Sequence, residues 1–303
     1  MRRGLVLCSL LVLALGACAR GERRFDAARA FGHLEAQVAL GARVPGTPAH
    51  AAARDLFVEH FRATADTVWL HSFEQVIPLD SSRVRADNVV AVFNPDAPYR
   101  ICLGAHWDSR ARADEEEDPA LAALPVPGAN DGASGVAVLL EVATALAARP
   151  PAVGVDLVLF DVEDGGVHEQ PETWALGSAR FVADHPSYRP AFAIVVDMVG
   201  RRGLRIPREG NSMAAAGGLV NVVWEIGREL ELSCLVDSTS APVFDDHVPF
   251  LRARIPAVDL IDLADPNWHT TRDLPDACAP ESLDEVGRLL LGVIARAEAS
   301  RQR

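Results

Sequence analysis

Val155-Asp156-Leu157-Val158-Leu159-Phe160-Asp161-Val162-Glu163-Asp164-Gly165-Gly166 is an apolar, β-branched run that stops at two adjacent acids and a glycine pair. The run reads as a buried strand, and the glycines mark its end. Glu163 and Asp164 then stand at its carboxyl end. Neighbouring side chains of an extended chain point to opposite sides, so one carboxylate could hold a metal while the other stays free as a base. A solvated acidic loop would leave the same trace. What gives the pair meaning is that other candidate ligands also follow apolar strands.

Working outward, strands and helical periods alternate. Phe25 to Leu40 and Pro48 to Arg62 carry helical patterns, and Thr67 to Phe73, Asn88 to Phe93 and Tyr99 to Ala105 read as strands. Val136, Leu139, Leu140, Ala143 and Leu146 line one face of a helix that precedes the Val155 strand. Then come a helix near Leu176 to Ala183, a strand Phe192 to Asp197, a helix Gly218 to Leu232 and a short strand near Leu235. A helical Val248 to Arg252, a strand Pro256 to Ile261 and a last helix opening on the capping box Ser282-Leu283-Asp284-Glu285 complete the chain. The expected fold class is α/β: one domain, a mostly parallel twisted mixed β-sheet with helices on both faces. The insert Ala111 to Pro127, with Glu115-Glu116-Glu117-Asp118, reads as a solvated loop near the rim of any site.

The 303 residues are 49% hydrophobic, enough for one large core. Met1-Arg2-Arg3, the apolar Leu5 to Leu15 and Leu15-Gly16-Ala17-Cys18 resemble a bacterial lipoprotein signal, implying residues 1–17 as signal, Cys18 as the lipidated residue and 18–24 as a tether before one folded domain, 25–303. Simple secretion is the alternative. Either way an exported, monomeric protein is expected; lipidation would hold it to a bacterial membrane by lipid alone. Without Arg2 and Arg3, 27 basic residues face 42 acidic ones, a charge of about −15 that argues against nucleic-acid binding. Cys102, Cys234 and Cys278 show no C-x-x-C pattern, so a Cys-based zinc site is not expected; a Cys234–Cys278 disulfide stays open.

In parallel α/β sheets, sites collect at the carboxyl ends of strands. There the sequence places His106-Trp107-Asp108-Ser109, Gly128-Ala129-Asn130-Asp131-Gly132, Glu163-Asp164, Asp197 and Trp268-His269-Thr270. Mixed carboxylate and imidazole donors suit zinc. Together with Arg43-Val44-Pro45-Gly46-Thr47, Trp174-Ala175-Leu176-Gly177-Ser178 and Asp245-Asp246-His247, this order resembles the zinc aminopeptidase superfamily, and within it is most similar to the glutaminyl cyclases of animals and their bacterial relatives.

The resemblance implies one of two chemistries. In a cyclase, one zinc per chain would be held by Asp131, Asp164 and His269, with Glu163 as general acid–base. Asp197 and Asp245 would hydrogen-bond around the reacting groups and share a proton, and Trp174 and Trp268 would wall the substrate pocket. The substrate would be a peptide or protein beginning with Gln. In a two-zinc aminopeptidase, His106 and Asp197 would hold a second metal. Asp245-Asp246-His247 and Trp268 before His269 favour the cyclase. Asp259, where animal cyclases have His, and Asp164, where they have Glu, are departures, and the first means part of the network must differ.

Overall fold

The computed structural model describes residues 23–301; the expected signal segment and Cys18 lie outside the described residues. In chain order the elements are α1 (Ala27–Ala39), α2 (Pro48–Thr64), β1 (Thr67–Val76), β2 (Arg83–Phe93), β3 (Arg100–His106), α3 (Pro119–Ala122), α4 (Ala133–Ala148), β4 (Gly154–Phe160), α5 (Leu176–Asp184), β5 (Ala193–Asp197), β6 (Ile206–Arg208), α6 (Gly210–Glu229), β7 (Leu235–Thr239), α7 (His247–Arg252), β8 (Ala257–Ile261) and α8 (Pro280–Arg301). Six strands form one sheet in the order β1-β2-β4-β3-β5-β8. The pairs β4–β3, β3–β5 and β5–β8 are parallel, whereas β1–β2 and β2–β4 are antiparallel. A parallel core thus carries an antiparallel hairpin on one edge. β6 and β7 form a separate small parallel pair.

Every residue of β4 is buried. Its period of two divides the core: Val155, Leu157 and Leu159 join the larger apolar cluster, while Val158 and Phe160 join the smaller one on the opposite face. β3 repeats this with Ile101, Leu103 and Ala105 against Cys102. The larger face is covered by α1, α2, α4, α6 and α8, and the other by α5 and α7. Both faces are therefore roofed, as a near-continuous apolar strand requires. The helix α4 differs from the one-faced pattern read from its sequence. It is buried almost all round, because it lies between the sheet and α1, α2 and α8.

Three expectations are corrected. The last helix begins at Pro280, so Ser282 and Glu285 sit inside its first turns and form no capping box. Ser282 Oγ instead donates to Arg201 O (2.7 Å), and Glu285 accepts from Ser233 Oγ and Cys234 N (both 2.6 Å). Pro280 starts the helix because its fixed φ is preorganised there and its missing N–H costs nothing. Second, α6 begins eight residues earlier than the periodicity suggested, at Gly210, where Glu209 accepts from Asn211 N and Ser212 N; the backbone leaves helical geometry at Ala216. Third, the acidic insert is not simply solvated. It contains α3, and Asp114 and Glu116 make ordered contacts described below.

The cysteines Cys102, Cys234 and Cys278 are buried free thiols, without a disulfide between Cys234 and Cys278. No helix among the described residues is long and apolar enough to cross a membrane. Leu157 tests the division of the core, since it is fully buried on the larger face. Leu157→Ala is expected to cost about 2–5 kcal/mol, read as a lower urea midpoint. A loss under roughly 0.5 kcal/mol, the range of surface substitutions, would contradict this packing.

Candidate metal centre and active-site cleft

Two site residues are the last residues of parallel neighbours: His106 ends β3 and Asp197 ends β5. Their side chains meet, His106 Nε2 lying 3.0 Å from Asp197 Oδ1. The Glu163–Asp164 pair departs from expectation. β4 stops at Phe160, and Val162 has φ +53°, so the acids belong to a turn and not to extended chain. Asp108 holds that turn, accepting hydrogen bonds from Glu163 N (3.0 Å) and Asp164 N (3.1 Å). Asp273 does the same for the glycine-rich turn, accepting from Asn130 N (2.7 Å) and Asp131 N (3.0 Å). That turn needs Gly132: its φ is +85°, and a Cβ would stand 2.8 Å from Asp108 O. Arg43, fully buried, ties the chain after β3 to the same turn by donating to Trp107 O (3.0 Å) and Gly128 O (2.6 Å).

These loops bring five acids and two imidazoles together. His269 Nε2 lies 3.2 Å from Asp164 Oδ1 and 3.5 Å from Asp131 Oδ2. On the other side of Asp131, its Oδ1 lies 3.1 Å from His106 Nε2. Asp131 therefore stands between two groups able to hold a cation, Asp131–Asp164–His269 and His106–Asp131–Asp197, each with its donor atoms within 4.8 Å of one another. Both oxygens of Asp164 and Oδ2 of Asp131 are buried with no hydrogen-bond partner. Carboxylate oxygens left orphaned in this way and facing an imidazole nitrogen are the donor set of a zinc site, and the residues fit that ion.

Burial, with Asp245 and Asp164 adding to it, pushes the Glu163 carboxyl well above the usual range. Burial likewise raises Asp197, and raises Asp245 to about 6 with help from Asp197. For His269 burial alone would lower the imidazole, but Asp164, Asp114 and Asp131 outweigh it and hold it up at about 9. The same acids that raise these values would favour a bound cation.

The cluster forms the floor of a cleft of about 280 Å³, walled by Trp174, Trp268, Phe244, Leu263 and Ile261. Trp268 stacks on His269 with centroids 3.9 Å apart, and Trp174 lies parallel to the same ring at 5.8 Å. Both tryptophans are half-buried and face the cleft, not the core. Gly166 makes room for one of them, since a Cβ there would stand 2.2 Å from the Trp174 ring.

Asp197 bonds to His106, whereas Asp245 lies against Asp259, whose carboxyl burial and Asp245 push well above the usual range. Asp259 in turn lies 3.6 Å from His247 Nδ1, and Glu209 lies 3.1 Å from His247 Nε2. Sequence reasoning assigned no role to Asp108, Asp273 or Asp114. All three act on the backbone or ring of a site residue, which residue type alone does not announce.

The model of peptidase family M28 matches residues 88–294. Among solved structures, the glutaminyl cyclase of Tannerella forsythia is 36% identical, with a TM-score of 0.86 over 89% of this chain and 98% of that one. A leucine aminopeptidase precursor from Bacteroides thetaiotaomicron is 33% identical, with a TM-score of 0.86 over 89% of this chain and 97% of that one. The glutaminyl-peptide cyclotransferase of the snake Boiga irregularis is 25% identical over 285 residues, 82% of this chain and 75% of its own. The chain belongs to peptidase family M28, in the group of that family that holds the bacterial and animal glutaminyl cyclases.

Proposed function

We propose that the protein is a zinc-dependent glutaminyl-peptide cyclotransferase, turning the N-terminal Gln of peptides and proteins into pyroglutamate with release of ammonia. The observation that carries this is Glu163. It lies in the same cleft as Asp131, Asp164 and His269, adjacent in sequence to one of them, yet outside their donor group. The likeness to bacterial glutaminyl cyclases over nearly the whole domain supports it.

Asp131, Asp164 and His269 would hold one zinc per chain. Bound there, the ion supplies Lewis-acid polarisation of the substrate amide oxygen. The α-amine nitrogen attacks the side-chain amide carbon, the carbon–nitrogen bond to the amide nitrogen breaks, and the five-membered ring closes. Glu163 takes a proton from the attacking amine and returns it to the departing ammonia; a carboxyl whose proton affinity is raised by burial suits both steps. Asp197 and Asp245 accept hydrogen bonds from the amine and amide nitrogens at the cleft floor. Trp174 and Trp268 confine the Gln side chain, so the flexible substrate is held in its attack geometry.

A two-zinc aminopeptidase is the second reading, and the His106–Asp131–Asp197 group favours it. The leucine aminopeptidase precursor of similar fold keeps it in view. The reactions differ in product: Gln-β-naphthylamide gives ammonia by cyclisation but free naphthylamine by peptide hydrolysis. Export and a lipid anchor on Cys18 are proposed from the sequence, as is a monomeric state; metabolic labelling with palmitate, lost in Cys18→Ala, tests the anchor.

Two outcomes are expected. Glu163→Gln should lower turnover of a Gln-peptide by at least about 10²-fold, the lower range for a general acid–base, while retaining stoichiometric zinc. Normal turnover would remove the base. His106→Ala should leave zinc content at one per chain and reduce turnover less than Glu163→Gln does. A fall from two zinc to one, with activity lost, would favour the peptidase.

A further inference from the structure

The acidic insert carries this inference, which rests on the reading of Asp131, Asp164 and His269 as metal ligands. Arg110 is fully buried and grips Asp114 with two donors, Nε to Oδ1 (2.8 Å) and Nη2 to Oδ2 (2.5 Å). Its remaining nitrogen, Nη1, donates to Asp164 O (2.9 Å) and Gly166 O (3.1 Å), the backbone of the turn that bears Asp164. The guanidinium also lies over the Trp174 ring, 4.7 Å from its centre. From the other end of the pair, Asp114 Oδ1 lies 3.4 Å from Nδ1 of His269, a buried ring nitrogen that has no hydrogen-bond partner and whose nearest carboxylate is this one.

The rest of the insert holds the backbone around His269. Glu115 N donates to His269 O (3.2 Å), and Glu116 accepts from Thr271 N (2.9 Å) and Thr271 Oγ1 (2.6 Å) and pairs with Arg272 (2.8 Å). His269 needs holding, because its φ is +53°. His168, an exposed side chain, approaches the second oxygen of Asp114 (3.3 Å).

We propose that Arg110 and Asp114 form a positioning pair for the metal centre. Asp114 keeps the proton of His269 on Nδ1 and so leaves the Nε2 lone pair facing Asp131 and Asp164, while Arg110 fixes the turn of Asp164 to the same carboxylate. A carboxylate that accepts from the distal nitrogen of a metal-binding histidine sets both its tautomer and its basicity. One ion pair then orients two of the three ligands. Neither residue touches substrate.

The test is zinc affinity, by competition with a chromophoric chelator, of the full chain and its Asp114→Asn and Asp114→Glu variants. Asp114→Asn should bind zinc about 10–100-fold more weakly, with Asp114→Glu recovering part of the loss. The thermal midpoint of the zinc-free proteins is measured alongside; affinity lost only in proportion to stability would reduce Asp114 to a structural group and overturn the proposal. Long-range ¹H–¹⁵N spectra of the zinc-loaded wild type give an independent reading: His269 protonated at Nδ1 with Nε2 on the metal is expected, and Nδ1 on the metal overturns it. If the wild type binds zinc and Asp114→Asn binds it equally well, the positioning pair fails alone. If the wild type binds none, the metal reading fails first.

Discussion

Charge without water is the constraint on which the structure depends. Asp131, Asp164, Glu163, Asp197 and Asp245 all have under a tenth of their surface exposed. Two like charges about 4 Å apart repel by roughly 4 kcal/mol at an effective dielectric of about 20. Several such pairs would consume a domain's whole stability of about 5–15 kcal/mol. The raised values of Glu163, Asp197 and Asp245 express that load. A divalent ion bound where the orphaned oxygens of Asp131 and Asp164 face His269 would relieve part of it. On the proposed reading, metal and acid–base group would be two answers to one electrostatic problem, given by adjacent residues.

The scaffold makes that crowding possible through parallel strands. β3, β4, β5 and β8 end on the same side of the sheet, so their loops converge. The loops are then stiffened by carboxylates that accept pairs of consecutive amides, Asp108 for Glu163–Asp164 and Asp273 for Asn130–Asp131. Positive φ angles mark the result: among the described residues, five of nine such non-glycine positions, Val162, Glu169, Ala175, Met198 and His269, lie at or beside the cleft. Strained backbone persists only where its surroundings over-determine it, and here those surroundings are buried polar contacts.

Much of this was legible in the residues. The buried strands announced themselves by apolar runs, and the cluster of acids and imidazoles by their recurrence after those runs. What escaped was set by partners distant in sequence. Glu285 looked like a helix cap because Ser282 lies three residues before it, yet it binds Ser233 and Cys234 more than fifty residues away. Asp114 and Glu116 looked like solvated charge, yet they meet His269, Thr271 and Arg272. The strand bearing Glu163 and Asp164 ended early because Asp161 turns inward to His50 (2.8 Å) and Asp87 N (2.7 Å). No local pattern encodes such contacts.

The central claim is that Asp131, Asp164 and His269 share one ion while Glu163 stays free. Anomalous diffraction at the zinc edge from crystals of the zinc-loaded protein tests it most directly. The account predicts one peak, about 2.0–2.2 Å from an oxygen of each aspartate and from His269 Nε2. A peak coordinated by Glu163, or a second one between His106 and Asp197, would contradict it.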